Sequence, residues 1–171
     1  MTTPESVVYL LMQDFDLQEE VKSFMRKAGQ NVPNRVTIPT KEERLLSCRL
    51  LLEEVLEYIE AAGFTAVNCG HEIKMEDTNF FNDFQPNLVE MMDAVGDIMF
   101  VAQGRAVETG LDLKPILQEV CDSNSSKFLD GYRDEATGKW KKGPSFREPD
   151  LKSIIEKQIN KTEVEQLEFK F

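Results

Sequence analysis

Two helix-forming stretches, Glu53-Glu54-Val55-Leu56-Glu57 and Glu90-Met91-Met92-Asp93-Ala94-Val95-Gly96-Asp97, place carboxylates where an amphipathic helix places its apolar core. A helix turns about 100° per residue, so Glu54 and Glu57 project roughly 60° apart and Glu53 and Glu57 roughly 40° apart. The stripe Leu46, Leu50, Glu54, Glu57, Ala61 therefore runs from leucine into acid and back to alanine, with Glu53 at its edge. On the second stretch Glu90, Asp93 and Asp97 fall within roughly 60° of one another, and their stripe continues into Val101 and Gly104. Packed antiparallel, the two helices would turn two acidic patches toward each other.

An isolated buried charge costs several kcal/mol or more, so carboxylates in a seam need compensation. A divalent cation compensates many at once. Hard cations take oxygen ligands, and Mg²⁺ combines one or two carboxylates with waters and phosphate oxygens. Five or six clustered carboxylates suit two or three such ions, the arrangement that clamps attacking and leaving oxygens in phosphoryl chemistry. An acidic run on a helix is usually a solvated face, and Glu60 and Glu108 read as that ordinary kind. Two triplets at helical spacing, each inside an apolar stripe, do not. A di-iron carboxylate bundle needs Glu-x-x-His on two helices, whereas the single histidine, His71, follows Asn68 at that spacing. The same count excludes His-rich zinc hydrolases.

The rest of the chain reads as helices joined by turn signals. Residues 4–28 are helical with a break near Phe15-Asp16, and Gln30 to Thr40 is a connector carrying Pro33 and Pro39. Thr40 with Glu43 forms a capping-box pattern for a helix that ends at Gly63. Residues 64–84, with Gly70, Asn79, Asn82 and Phe80-Phe81-Phe84, suggest an ordered loop or short helices. Pro86 opens a helix to Gly110, and Asp112 caps another reaching about Phe128. Asp130 to Phe146 looks like a small hairpin or structured loop, with Tyr132 and Trp140 flanking Ala136-Thr137-Gly138-Lys139 as candidate base-stacking or lid residues, or simply packing aromatics. A charged helix begins at Asp150-Leu151. The expected fold is all-α, a four-to-five-helix bundle with a small non-helical C-terminal insert, forming one domain over 1–171 with 150–171 as a helical arm.

Charge narrows the partners. A net charge of −11 argues against a nucleic-acid polymer, which requires a cationic surface. It permits a single nucleotide held by a metal and a few local cations. No apolar run approaches a membrane span, and the N-terminus carries no secretory pattern. Cys48, Cys69 and Cys121 are odd in number and lack CxxC spacing, as reduced cytoplasmic thiols do.

Glu-Glu-x-x-Glu at 53–57 followed by Glu-x-x-Asp at 90–93 and Asp97 resembles the all-α NTP pyrophosphohydrolase superfamily. That group includes MazG, dimeric dUTPases and phosphoribosyl-ATP pyrophosphohydrolase. The resemblance extends to Phe24-Met25-Arg26-Lys27-Ala28-Gly29-Gln30, Asp93-Ala94-Val95-Gly96-Asp97, Ser123-Asn124-Ser125-Ser126-Lys127 and Lys142-Gly143-Pro144, and covers about residues 20–151. It implies Mg²⁺-dependent cleavage (Mn²⁺ as a substitute) of an NTP or dNTP between its α and β phosphates, by a homodimer or dimer of dimers. It implies Glu54, Glu57, Glu90, Asp93 and Asp97 as metal ligands, and Glu53 as the group that orients or deprotonates water. Asn124, Lys127 and Lys142 would hold phosphate oxygens. Ala94 departs from members with an acid there, and Val101 lacks the histidine of the histidine-biosynthesis branch, which argues against phosphoribosyl-ATP as substrate. A catalytically silent helical metal-binding or assembly protein is the alternative.

Overall fold

A computed structural model describes residues 15–70, 73–77 and 86–168, with side chains to residue 162 except that of Asp77. The expected helix before Phe15, His71 and the Phe80-Phe81-Phe84 cluster lie outside the described residues. The fold is mainly helical, with two small antiparallel hairpins. It divides into two compact units, Met1–Val32 with Ile38–Glu108, and Pro33–Thr37 with Thr109–Phe171.

In the first unit, α1 spans Leu17–Lys27, and the break expected near Asp16 is its N-cap. The Asp16 carboxylate accepts from the backbone N–H groups of Gln18 and Glu19, at 2.9 and 3.2 Å. Helix α2 spans Lys41–Ala61 and starts with the expected capping box: Thr40 accepts from Glu43 N–H at 3.2 Å, and Glu43 accepts from Thr40 N–H at 2.7 Å. Gly63, at φ 87°, turns the chain out of α2.

The next segment differs from the expected loop or short helices. Strand β1 (Phe64–Asn68) pairs with β2 (Ile73–Asp77) in antiparallel register, with Ala66 opposite Met75. Strand alternation explains the hairpin. Phe64, Ala66, Ile73 and Met75 share one face, while Thr65, Val67, Lys74 and Glu76 share the other.

Helix α3 spans Leu88–Thr109. It begins two residues after Pro86, with Asn87 as its cap: the Asn87 side chain accepts from Val89 and Glu90 N–H at 3.0 and 3.4 Å. Near the end of α3, Val107 packs with Val21 and Met25 of α1, joined by Leu17, Val32 and Phe100. Gly104 gives this contact its room, since a Cβ there would lie 3.8 Å from Val21 and 3.9 Å from Met25. Phe24 and Phe100 meet edge to face with ring centres 5.2 Å apart.

The second unit contains α4 (Leu113–Ser125), the single turn α5 (Lys127–Asp130), the hairpin of β3 (Tyr132–Arg133) and β4 (Trp140–Lys141), and α6 (Leu151–Glu168). Asp112 caps α4 as expected, accepting from Lys114 N–H at 2.9 Å. The helix stops at Ser125, short of the expected Phe128. The Asp112 backbone also exchanges two hydrogen bonds with the Gln158 side chain, at 2.7 and 3.1 Å, tying α6 to the start of α4. Among the described residues no helix is long and apolar enough to cross a membrane.

Candidate functional site

The start of α2 meets the end of α3, where Ser47 and Glu108 are hydrogen-bonded. The end of α2 meets the start of α3, where Asn87 N–H donates to the Ala61 carbonyl at 2.9 Å. The two helices therefore run antiparallel, as the facing acidic stripes require. Midway lies Glu54, half-buried. Its carboxyl is pushed above the ordinary range, first by loss of solvent and then by the negative charges of Glu57, Asp97, Glu53 and Asp93. Charges from both helices thus act on one group.

Next to these acids lies a cavity of about 420 Å³ lined by Glu57, Glu60, Ala61, Asn87, Glu90, Asp93 and Ala94. The sequence reading missed Asn87 and took Glu60 as an ordinary solvated residue. Glu60 follows Glu57 by three positions and Asn87 precedes Glu90 by three, and that spacing was the available signal.

The seam is more open than the sequence suggested. Glu53, Glu57, Glu90, Asp93 and Asp97 are all exposed, while the alanines beside them, Ala61 and Ala94, are buried. Among the described residues, no three Asp, Glu, His or Cys side chains are arranged to hold a metal ion. Nor does any Lys or Arg there form a salt bridge with Glu53, Glu54, Glu57, Glu90, Asp93 or Asp97. The donor set is carboxylate oxygen throughout and no salt bridge among the described residues offsets its charge, which fits a hard divalent cation and not a soft one.

Glu108 corrects the sequence reading. It is buried, accepts from Ser47 Oγ at 2.8 Å, and pairs with Arg105 at 3.1 Å.

The phosphate-binding candidates all lie in the second unit. Lys127 Nζ donates to Asn124 Oδ1 at 2.7 Å, one helical turn away. Lys127 and Lys142 both approach the Phe146 ring, at 5.9 and 4.2 Å from its centre, so two cations gather at one aromatic ring. Lys142 also pairs with Glu148 at 2.6 Å. The segment carrying Phe146 is pinned to α4: Ser123 Oγ donates to the Arg147 carbonyl at 2.8 Å, and Arg147 N–H donates to Ser126 Oγ at 2.9 Å. The serines beside Asn124 and Lys127 thus hold the loop that brings Lys142 near. Gly143 belongs to that arrangement, because a Cβ there would strike the Asp130 carboxylate. Trp140 packs edge to face on Phe128 at 4.8 Å.

Compared with known families, residues 21–124 match the model of phosphoribosyl-ATP pyrophosphohydrolase, well over half of the chain. The chain belongs to this family. Membership supports an activity of the nucleotide pyrophosphohydrolase type. The family match takes in both acidic stretches and ends at Asn124, so Lys127 and Lys142 lie beyond it. No curated protein matches the chain significantly.

Proposed function

We propose that this member of the phosphoribosyl-ATP pyrophosphohydrolase family hydrolyses a nucleoside or deoxynucleoside triphosphate between its α and β phosphates, giving a monophosphate and pyrophosphate, with Mg²⁺. The supporting observation is the convergence on Glu54 of charge from Glu53 and Glu57 on α2 and from Asp93 and Asp97 on α3, with no salt bridge among the described residues to offset it. Glu54, Glu57, Glu90, Asp93 and Asp97 are the proposed ligands; bound Mg²⁺ (or Mn²⁺) supplies charge that polarises phosphate oxygens and acidifies water. Glu53, exposed at the edge of the stripe, orients the attacking water and accepts its proton. Asn124, Lys127 and Lys142 neutralise and hydrogen-bond phosphate oxygens. Val101 in place of histidine favours a triphosphate over phosphoribosyl-ATP.

We also propose a homodimer or a dimer of such dimers, acting in the cytoplasm. Leu52 and Val55 on α2 are 57% and 40% exposed, and Val89 and Met92 on α3 are 75% and 53% exposed. Large apolar side chains at that density favour burial against a second copy. Light scattering at several protein concentrations measures it, and a monomer throughout would refute it.

The activity is tested by pyrophosphate release from a panel of NTPs and dNTPs with Mg²⁺. Release from at least one, lost on chelation, is expected. Metal binding with no release from any nucleotide would leave the silent metal-binding reading instead.

A further inference from the structure

Ser47 of α2 is buried, and two charged groups of α3 reach its hydroxyl. Glu108 Oε2 accepts from it at 2.8 Å, and the Arg105 guanidinium donates to it. Arg105 meets the other Glu108 oxygen at 3.1 Å, and its own Nε donates to the Val101 carbonyl at 3.0 Å. Arg105 and Glu108 stand three residues apart on one helix and can pair without help from α2. Both also converge on a hydroxyl 58 and 61 residues away in sequence. The hydroxyl has one proton. Since Arg105 donates to the oxygen, that proton is available to Glu108 or to the Glu43 carbonyl, 2.7 Å away on the previous turn.

This cluster lies at one end of the helix pair, and the Asn87–Ala61 backbone bond lies at the other. Between them stand carboxylates that repel one another across the same seam. Apolar contact between helices tolerates sliding, whereas a buried, directional, charge-assisted network does not. A slip of one turn moves a side chain about 5.4 Å, whereas metal–ligand distances tolerate about 0.2 Å.

We propose that Ser47, Arg105 and Glu108 form a positioning clamp that sets the axial register of α2 against α3, and thereby the spacing of the metal-binding carboxylates. The clamp touches neither metal nor substrate. It rests on the proposed reading of Glu54, Glu57, Glu90, Asp93 and Asp97 as metal ligands.

The test uses the full chain as wild type, Ser47→Ala, Ser47→Thr and Glu108→Gln. Calorimetry measures Mn²⁺ affinity, pyrophosphate release measures the Mg²⁺ concentration for half-maximal rate, and circular dichroism measures folding. Ser47→Ala should weaken Mn²⁺ binding about tenfold, the scale of an outer-shell loss. It should raise the Mg²⁺ requirement to match, while KM for the nucleotide at saturating Mg²⁺ stays near wild type. Ser47→Thr keeps the hydroxyl and should restore both; Glu108→Gln keeps the shape and should fall between. A Ser47→Ala protein with lowered thermal stability but wild-type Mn²⁺ affinity and Mg²⁺ requirement overturns the clamp alone. If Ser47→Ala does not fold, Glu108→Gln decides by the same two readings. Wild type that binds no Mn²⁺ overturns the metal reading, and the clamp with it.

Discussion

Asn87 N–H donates to the Ala61 carbonyl at 2.9 Å, so one backbone bond joins the last turn of α2 to the residue that caps α3. The Asn87 side chain accepts from Val89 and Glu90 N–H. A single residue closes one helix end and opens the next, beside the acidic cavity it helps to line.

Asn87→Ala keeps the backbone bond and loses the cap. The expected cost is about 1 kcal/mol, a fall in Tm of roughly 2–4 °C for a chain of this size. Thermal unfolding measures it, and an unchanged Tm would show that the cap contributes nothing.

Glu54→Gln should have effects of opposite sign on stability and on rate. Without divalent cation it removes a half-buried charge from the field of four others, so Tm should rise. Added Mg²⁺ should stabilise wild type, by ligand linkage, and stabilise the variant much less. Pyrophosphate release should fall on the order of 10²-fold. A variant that matches wild type in Mg²⁺ stabilisation and rate would remove Glu54 from the ligand set.

Acid should weaken the second unit through Glu119. Hydrogen bonds from the Arg147 side chain and from Asp150 N–H hold its carboxyl below the ordinary range. The unfolded chain therefore takes up that proton first as pH falls. The contribution is complete above the unfolded value of about 4.3 and is lost as pH drops through the lower folded value. Asp150, lowered by its bonds from Ser153, has the same sign. Glu119→Gln should lower stability at pH 7 and flatten its decline below about pH 4.3. Urea unfolding at pH 7, 5 and 3.5 tests this, and parallel curves for variant and wild type would contradict it.

Gly110→Ala should be costly. Gly110 sits at φ 73°, and a Cβ there would strike the Arg35 carbonyl. The left-handed backbone and the collision together should cost roughly 2 kcal/mol. Chemical denaturation measures it, and a neutral substitution would mean that the 33–37 segment moves aside freely.

How much of this was legible in the sequence depended on range. Local signals carried: Thr40 with Glu43, Asp112, Gly63 and Gly110 mark helix ends because their chemistry acts within a turn. The acidic stripes were legible for the same reason, since helical spacing alone placed Glu54 with Glu57 and Asp93 with Asp97. The 64–77 hairpin was missed because its alternation is short and broken by Asn68, Cys69 and Gly70. Glu108 was misread because its surroundings come from Ser47, a partner on another helix that no local pattern reveals. The exposure of five of the six carboxylates was also out of reach, because periodicity tells which residues share a face and not what covers it.

The 22-residue α3 carries two unlike surfaces on one rigid rod. Its first half presents Glu90, Asp93 and Asp97, and its second half inserts Phe100, Gly104 and Val107 against α1. Nothing but uninterrupted helical phase relates the two. Deleting one residue between Asp97 and Phe100 would leave every acid and every core side chain in place and still rotate one set about 100° from the other. Substitution in either half is a local event, whereas a change in length between the halves sets chemistry and packing against each other.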